Sequence, residues 1–301
     1  MPRNFWGCIV CTPMSGDSIF RAMTDDGTFR VVTIDGTQTA KAVCAAQRVR
    51  GETARHLAEL VLGAALIRET MSPGLRVQGI LRSRDGSGYL LGDSHPSGSS
   101  RGLFSRKADI EDFQLQGAVL QMVRTMHDGR IQQGLVAVPD DADVSRALMT
   151  YMQESEQIVT MIAVGATFAD AAAFADGAVA SAGGYLVQLL PQAERAPLAV
   201  MTERLEDFRN IDPILAAPNF SPRVLCEELL YGMPFTELGN SSLSSECWCS
   251  RTALLGALST LDRAEVQSMV SDGEAIEVSC DYCQALYRLA PAELQGLLAH
   301  N

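Results

Sequence analysis

Residues 247–283 read CWCSRTALLGALSTLDRAEVQSMVSDGEAIEVSCDYC, and this stretch decides how the whole chain is organised. It opens on Cys247-Trp248-Cys249 and closes on Cys280-Asp281-Tyr282-Cys283, two thiol pairs with thirty residues between them. Four thiolates brought to one point make a tetrahedral zinc site, because zinc is borderline soft and imposes no geometry of its own. With four sulfurs the shell is full, so no position is left for a catalytic water and the site is structural or regulatory. His56, His95 and His127 lie far upstream and His300 sits at the terminus, so the histidines do not compete for the metal. Between the pairs, Ala253, Leu254, Leu255, Ala257, Leu258 and Leu261 form an apolar helical stripe, and Ile276-Glu277-Val278 reads as a short strand. A unit of about fifty-five residues has a small core and is marginal without a staple. Zinc binding contributes about 10–16 kcal/mol in such units, comparable with the ~5–15 kcal/mol of a whole domain. Residues 247–301 are therefore expected to form a zinc module that unfolds when the metal is lost.

The same chemistry invites oxidation. Zinc holds the sulfurs as thiolates at neutral pH, and the thiolate is the species an oxidant attacks. Cysteines one and two residues apart can trap each other as disulfides and eject the metal, which converts oxidation into local unfolding. An unfolded tail and linker would then expose apolar surface able to hold other unfolded chains. On spacing alone, a purely structural zinc knuckle without redox function stands beside this reading.

Upstream of the cysteines, proline at 197, 213, 218, 222 and 234 breaks residues 192–246 into short helices and turns, because proline removes a backbone donor. Leu198–Phe208 and Pro222–Tyr231 are the expected helices, and the polar run Gly239-Asn240-Ser241-Ser242 marks a boundary before the tail. Residues 1–191 read as an α/β (α+β) core. Two strands joined by Asp25-Asp26-Gly27 occupy Ser18 to Ile34. An amphipathic helix follows over Thr53–Arg68, with apolar positions at Leu57, Leu60, Val61, Ala64 and Ala65. Strands are expected at Leu75–Ile80 and Gly88–Leu91, a loop at Ser94–Ser100, a hairpin turning at His127-Asp128-Gly129, and a helix near Val144–Ser155. The alanine-rich stretch Ala166–Ala182 is read as strand, turn, strand.

Composition narrows the function. The chain has 301 residues, 47% of them hydrophobic and 20% charged, which is globular and long enough for about two domains. A net charge of −12 disfavours nucleic acid and anionic membrane surfaces as partners. Apolar windows such as Leu60–Ile67 are too short to cross a bilayer, and Met1–Cys8 lacks a secretory pattern, so the cytoplasm is the expected compartment. Its reducing poise favours metal or redox chemistry over structural disulfides for the eight cysteines.

Cys247, Cys249, Cys280 and Cys283, with Ser250-Arg251, Leu261-Asp262-Arg263-Ala264-Glu265-Val266 and Tyr287, resemble the C-terminal signature of the redox-regulated chaperone family heat shock protein 33. Upstream, Leu62-Gly63, Arg101-Gly102, Ser155-Glu156-Gln157, Ala182 to Gln188 and Leu190-Pro191 also resemble family signatures, so the likeness covers roughly residues 16 to 290. The resemblance implies an α/β core that binds substrate, a redox-responsive helical linker packed on it, and a zinc module carrying the switch. It also implies ATP-independent holdase activity toward unfolding proteins under oxidative stress. Activation would come from zinc release, Cys247–Cys249 and Cys280–Cys283 disulfides and linker unfolding, often in a dimer. The family often has Phe before the first cysteine and Asp inside the first pair; Glu246 and Trp248 stand there in this chain, and the indole is expected to shield the sulfurs.

Other candidates carry less. Cys8-Ile9-Val10-Cys11 lacks the helix start that activates a thioredoxin-type pair, because Thr12-Pro13-Met14-Ser15-Gly16 cannot open a long helix. Cys44 reads as a small buried hydrophobe and Cys226, beside Glu227 and Glu228, as a helix-face residue. Gly183-Gly184 fits a tight bend or close packing and not a nucleotide loop. No pattern of a catalytic site is found. The expected function is regulated binding of unfolded clients; the alternative is a constitutive zinc-stabilised adaptor for a protein partner.

Overall fold

A computed structural model describes residues 16–108, 110–126, 128–191 and 195–299. The chain begins with the expected hairpin, β1 (Ser18–Thr24) and β2 (Phe29–Asp35). Gly27 takes a left-handed φ of 70° at its tip, and the Asp26 carboxylate accepts from Thr28 N at 2.9 Å. Two helices follow, α1 (Thr37–Gln47) and α2 (Gly51–Thr70). Next come β3 (Arg76–Arg82), β4 (Gly88–Ser94), β5 (Ser100–Arg106), β6 (Val119–Thr125) and β7 (Ile131–Ala137). Then come α3 (Val144–Glu154), β8 (Thr160–Phe168), α4 (Ala171–Asp176) and β9 (Val179–Leu189). The proline-rich segment holds α5 (Arg195–Asp207), α6 (Asp212–Leu215), α7 (Pro222–Leu229) and β10 (Phe235–Ser242). The tail holds α8 (Arg251–Leu258), α9 (Arg263–Ser271), β11 (Ile276–Ser279), β12 (Leu286–Leu289) and α10 (Pro291–Ala299). Among the described residues no helix is long and apolar enough to cross a membrane.

Two antiparallel five-stranded sheets, ordered β10-β1-β2-β9-β8 and β5-β4-β3-β6-β7, enclose α2. The helix touches β3, β4 and β5 on one side and β2, β8 and β9 on the other. Every residue from Leu60 to Ile67 is consequently fully buried, so the middle of α2 is apolar on all sides and not along one face as expected. Gly102 lets β5 approach: a Cβ there would fall 2.6 Å from Val43 and 3.0 Å from Val61. Gly183 and Gly184 are strand residues in close packing, where a Cβ would meet Ile34 O at 2.5 Å and Ala163 O at 2.3 Å.

Strand periodicity splits the core in two. Ile19, Val32 and Ile34 point toward α2, whereas Phe20, Phe29 and Val31 point to the opposite face of the same sheet. That outer face, completed by Tyr185 and Val187, is covered by Met201 of α5, Ile211 just before α6, Leu215 of α6, and Leu225 and Leu229 of α7. Polar bonds pin the cover: Thr33 Oγ1 donates to Pro222 O at 2.7 Å, Tyr185 Oη to Phe208 O at 3.2 Å and Arg204 Nη1 to Leu229 O at 2.9 Å.

Three readings are corrected. Ala166–Ala182 contains the helix α4 between its strands. Asp170 caps its start by accepting from Ala173 N at 2.8 Å, Gly177 closes it in the left-handed region, and alanine propensity fills the six residues between. The segment 192–246, expected to hold short helices and turns, also contains the strand β10, which pairs with β1 from Phe235 opposite Thr24 to Ser242 opposite Ser18. Pairing satisfies its backbone while its outer face meets water, so polar side chains are tolerated there. The stripe on α8 buries no residue, and Leu261 is exposed.

Candidate metal centre

The four predicted cysteines come together at the junction of two short segments. Cys247 and Cys249 lie in the extended stretch after β10, and Ser250 then caps α8 by accepting from Ala253 N at 3.1 Å, which turns the chain immediately after the first pair. Cys280 and Cys283 occupy the turn between β11 and β12, whose register ends with Ser279 opposite Leu286. Cys280 N donates to Ala285 O at 2.9 Å and Gln284 N to Cys280 O at 2.8 Å, with Gln284 at a φ of 60°, so the turn folds into a knuckle.

All four Sγ atoms lie within 4.8 Å of one another. The close approaches run across the pairs: Cys247 to Cys280 at 3.8 Å and Cys249 to Cys283 at 3.5 Å. These separations exceed a disulfide bond of about 2.05 Å, and all four are free thiols. Cys280 is buried and the other three are half-buried. Burial first, then contact with the other thiols, pushes Cys283 up to about 12. Such crowding opposes ionisation until a cation is present, and a metal ion reverses the balance by favouring thiolates. The arrangement can thus hold a metal ion, and among the described residues it is the one cluster of metal-ligating side chains with that geometry.

Side chains outside the cluster reach two of the sulfurs. Tyr287 Oη lies 3.2 Å from Cys249 Sγ, and this contact raises the phenol to about 12. Arg101 Nη1, from β5 of the core, donates to Cys247 Sγ at 3.6 Å. Arg101 Nε also donates to Asp93 at 3.0 Å, a fully buried carboxylate gripped on both oxygens by Arg76 at 2.7 and 2.6 Å. Two guanidinium groups face one carboxylate, which leaves a surplus positive charge beside the sulfurs.

Trp248, between the first two cysteines, reaches back to the core. Its indole lies on the core, 3.7 Å from the Arg101 guanidinium and 5.5 Å from that of Arg76, with the His95 ring at 5.2 Å. His56 is a separate residue of α2, lowered in pKa by burial. Cys44 and Cys226 sit in the two cores, each pushed up to about 12, mainly by burial, and so are inert thiols. Cys226 points inward from α7 and is wholly buried. Cys8, Cys11, His127 and His300 lie outside the described residues. Sequence reasoning missed Arg101, Asp93 and Arg76 as neighbours of the centre, and Gln47, whose Nε2 donates to Asp281 O and Tyr282 O beside Cys280 and Cys283; the Arg101-Gly102 dipeptide was the one available signal.

Known proteins share this architecture. The family model described as "Hsp33 protein" matches residues 17–290. The 33 kDa chaperonin of Syntrophotalea carbinolica is 29% identical over 268 residues, which cover 86% of this chain and 91% of that one. The 33 kDa chaperonin of Symbiobacterium thermophilum is 32% identical over 152 residues, half of each chain. The crystal structure of the 33 kDa chaperonin, a heat shock protein 33 homologue, from Thermotoga maritima superposes with a TM-score of 0.77, spanning 94% of this chain and 98% of that one at 20% identity. The match across nearly the whole described chain, with its two-sheet core and four-cysteine tail, means that the chain belongs to the Hsp33 protein family and has a chaperone function.

Proposed function

We propose that the chain is a redox-regulated, ATP-independent holdase, with Cys247, Cys249, Cys280 and Cys283 as zinc ligands and oxidant sensor. The sulfur geometry carries the reading. Zinc–sulfur bonds of about 2.3 Å at tetrahedral angles separate sulfurs by about 3.8 Å, and the cross-pair distances here are 3.8 and 3.5 Å. Bound zinc supplies the charge that keeps the sulfurs ionised and joins the two pairs. We divide the chain into a substrate-binding core of residues 1–191, a responsive linker of 192–246 and a switch module of 247–301.

Oxidation by a peroxide is balanced in electrons and atoms. Four thiolates become two disulfides, and two peroxides with four protons become four waters as the dication leaves. As the family resemblance implies, Cys247 pairs with Cys249 and Cys280 with Cys283, thiols that stay close in sequence when the module opens. The linker then lifts from the sheet face formed by Phe20, Phe29, Val31, Tyr185 and Val187, which becomes available to unfolding clients. Cover by α5 is light: Met201 is buried, whereas Leu198 and Val200 are exposed. The cytoplasm suits this chemistry, since its reducing poise keeps the thiols free until stress. Release of the linker also leaves apolar surface on which two oxidised chains can dimerise.

Aggregation of a heat-unfolded client is to be followed with reduced and peroxide-treated protein. Protection confined to the oxidised form is expected. Equal protection in both forms would support a constitutive zinc-stabilised adaptor instead.

A further inference from the structure

We propose that Arg101 is a positioning residue that latches the cysteine module to the core, and that Trp248 and Tyr282 form the latch only while the two cysteine pairs are held together. The Arg101 guanidinium lies 3.7 Å from the ring centroids of both Trp248 and Tyr282 and so bears two aromatic contacts at once. The two rings come from segments far apart in sequence. Trp248 stands between Cys247 and Cys249, and Tyr282 immediately precedes Cys283. Each is therefore placed by its cysteine pair, and separation of the pairs pulls the sandwich apart.

The arginine itself is anchored in the core. It projects from the edge strand β5, and its Nε is held by the buried Asp93, which Arg76 fixes in turn. A second tie runs beside it: Gln47 Nε2 donates to Asp281 O and Tyr282 O, both at 2.8 Å, while its Oε1 accepts from Phe104 N at 3.0 Å. A third lies next to Arg101 in sequence, where Ser100 N donates to Ser244 O at 2.7 Å and holds the chain between β10 and Cys247. Opening the metal centre thus releases the rings from Arg101 at the point where the linker strand is fastened to β5. This deepens the proposed switch and rests on metal binding by the four cysteines: it names the contact through which loss of the metal reaches the linker.

Trp6 and Trp248 are the two tryptophans of the chain, so Trp6→Phe leaves Trp248 as the sole indole reporter. In that background, acrylamide quenching of Trp248 fluorescence and zinc content per chain are to be measured on the reduced full-length protein. Shielded Trp248 with one zinc is expected, with exposure after chelation. Arg101→Ala is expected to shift the docked-to-undocked ratio roughly tenfold toward the exposed state while zinc stays bound. Arg101→Lys keeps a cation near Asp93 but loses the planar stack, so a rise of the same sign is expected; far-UV circular dichroism verifies that both variants are folded. Unchanged quenching in the folded variants overturns the latch even with zinc present. Absence of zinc from the reduced protein contradicts the metal reading, and so separates its failure from that of the latch.

Discussion

The core and the cysteine module differ in how much apolar surface they bury. In the core, α2 is enclosed by two sheets, and apolar side chains from Leu57 to Ile67 are fully buried. In the described part of the module the buried apolar side chains are Val266, Cys280, Leu289 and Leu294, and α8 buries none. Burial of apolar surface stabilises the first region in proportion to area, whereas the second has little such area. On the proposed reading, the module is the part whose fold would depend on what its sulfurs hold, so that a chemical signal would unfold this region and leave the other intact.

The largest effect is expected from Cys283→Ser or from chelation of the reduced protein, because the forfeited metal term is about 10–16 kcal/mol. Limited proteolysis should then cut within residues 247–299 while the core resists; a core that melts together with the module would erase the distinction. Next in size, Leu60→Ala in α2 should lower core stability by about 2–5 kcal/mol in denaturant titrations, with zinc content unchanged. Tyr185→Phe removes the bond to Phe208 O, and should weaken the linker cover by about 1 kcal/mol, read as faster amide exchange in α5.

The smallest effect separates the regions by sign. Glu59 on α2 is buried, and burial followed by nearby Asp143, Asp212 and Glu52 raises its carboxyl well above the ordinary 4.5, against the lowering influence of Arg55. The folded core therefore binds a proton that the unfolded chain releases, so core stability falls as pH rises from about 4.5 toward the folded value. Metal binding to thiolates releases protons and strengthens over the same direction. Raising the pH should lower the core melting temperature and tighten the module. Glu59→Gln should flatten the first trend alone.

Legibility in the sequence followed the same division. The β1–β2 hairpin was readable because Asp25-Asp26-Gly27 is a local turn signal, and the clustering of four cysteines because thiol spacing is a chemical signal that needs no neighbours. Helix α1 was missed, since its Thr-Gln-Ala composition has no strong apolar period. Strand β10 was missed because its polar residues satisfy their backbone against β1, a partner more than 190 residues away. Arg101 was legible as half of the Arg101-Gly102 signature but not as part of the site, because an arginine shows no sign in sequence of the two rings it will contact.

Whether metal loss unfolds the module is decided by the zinc content of the purified reduced protein, followed during oxidation together with far-UV circular dichroism. One zinc per chain, released in step with partial loss of helicity, is the predicted result. A reduced protein without zinc, or one that keeps its helicity after the metal departs, would contradict it.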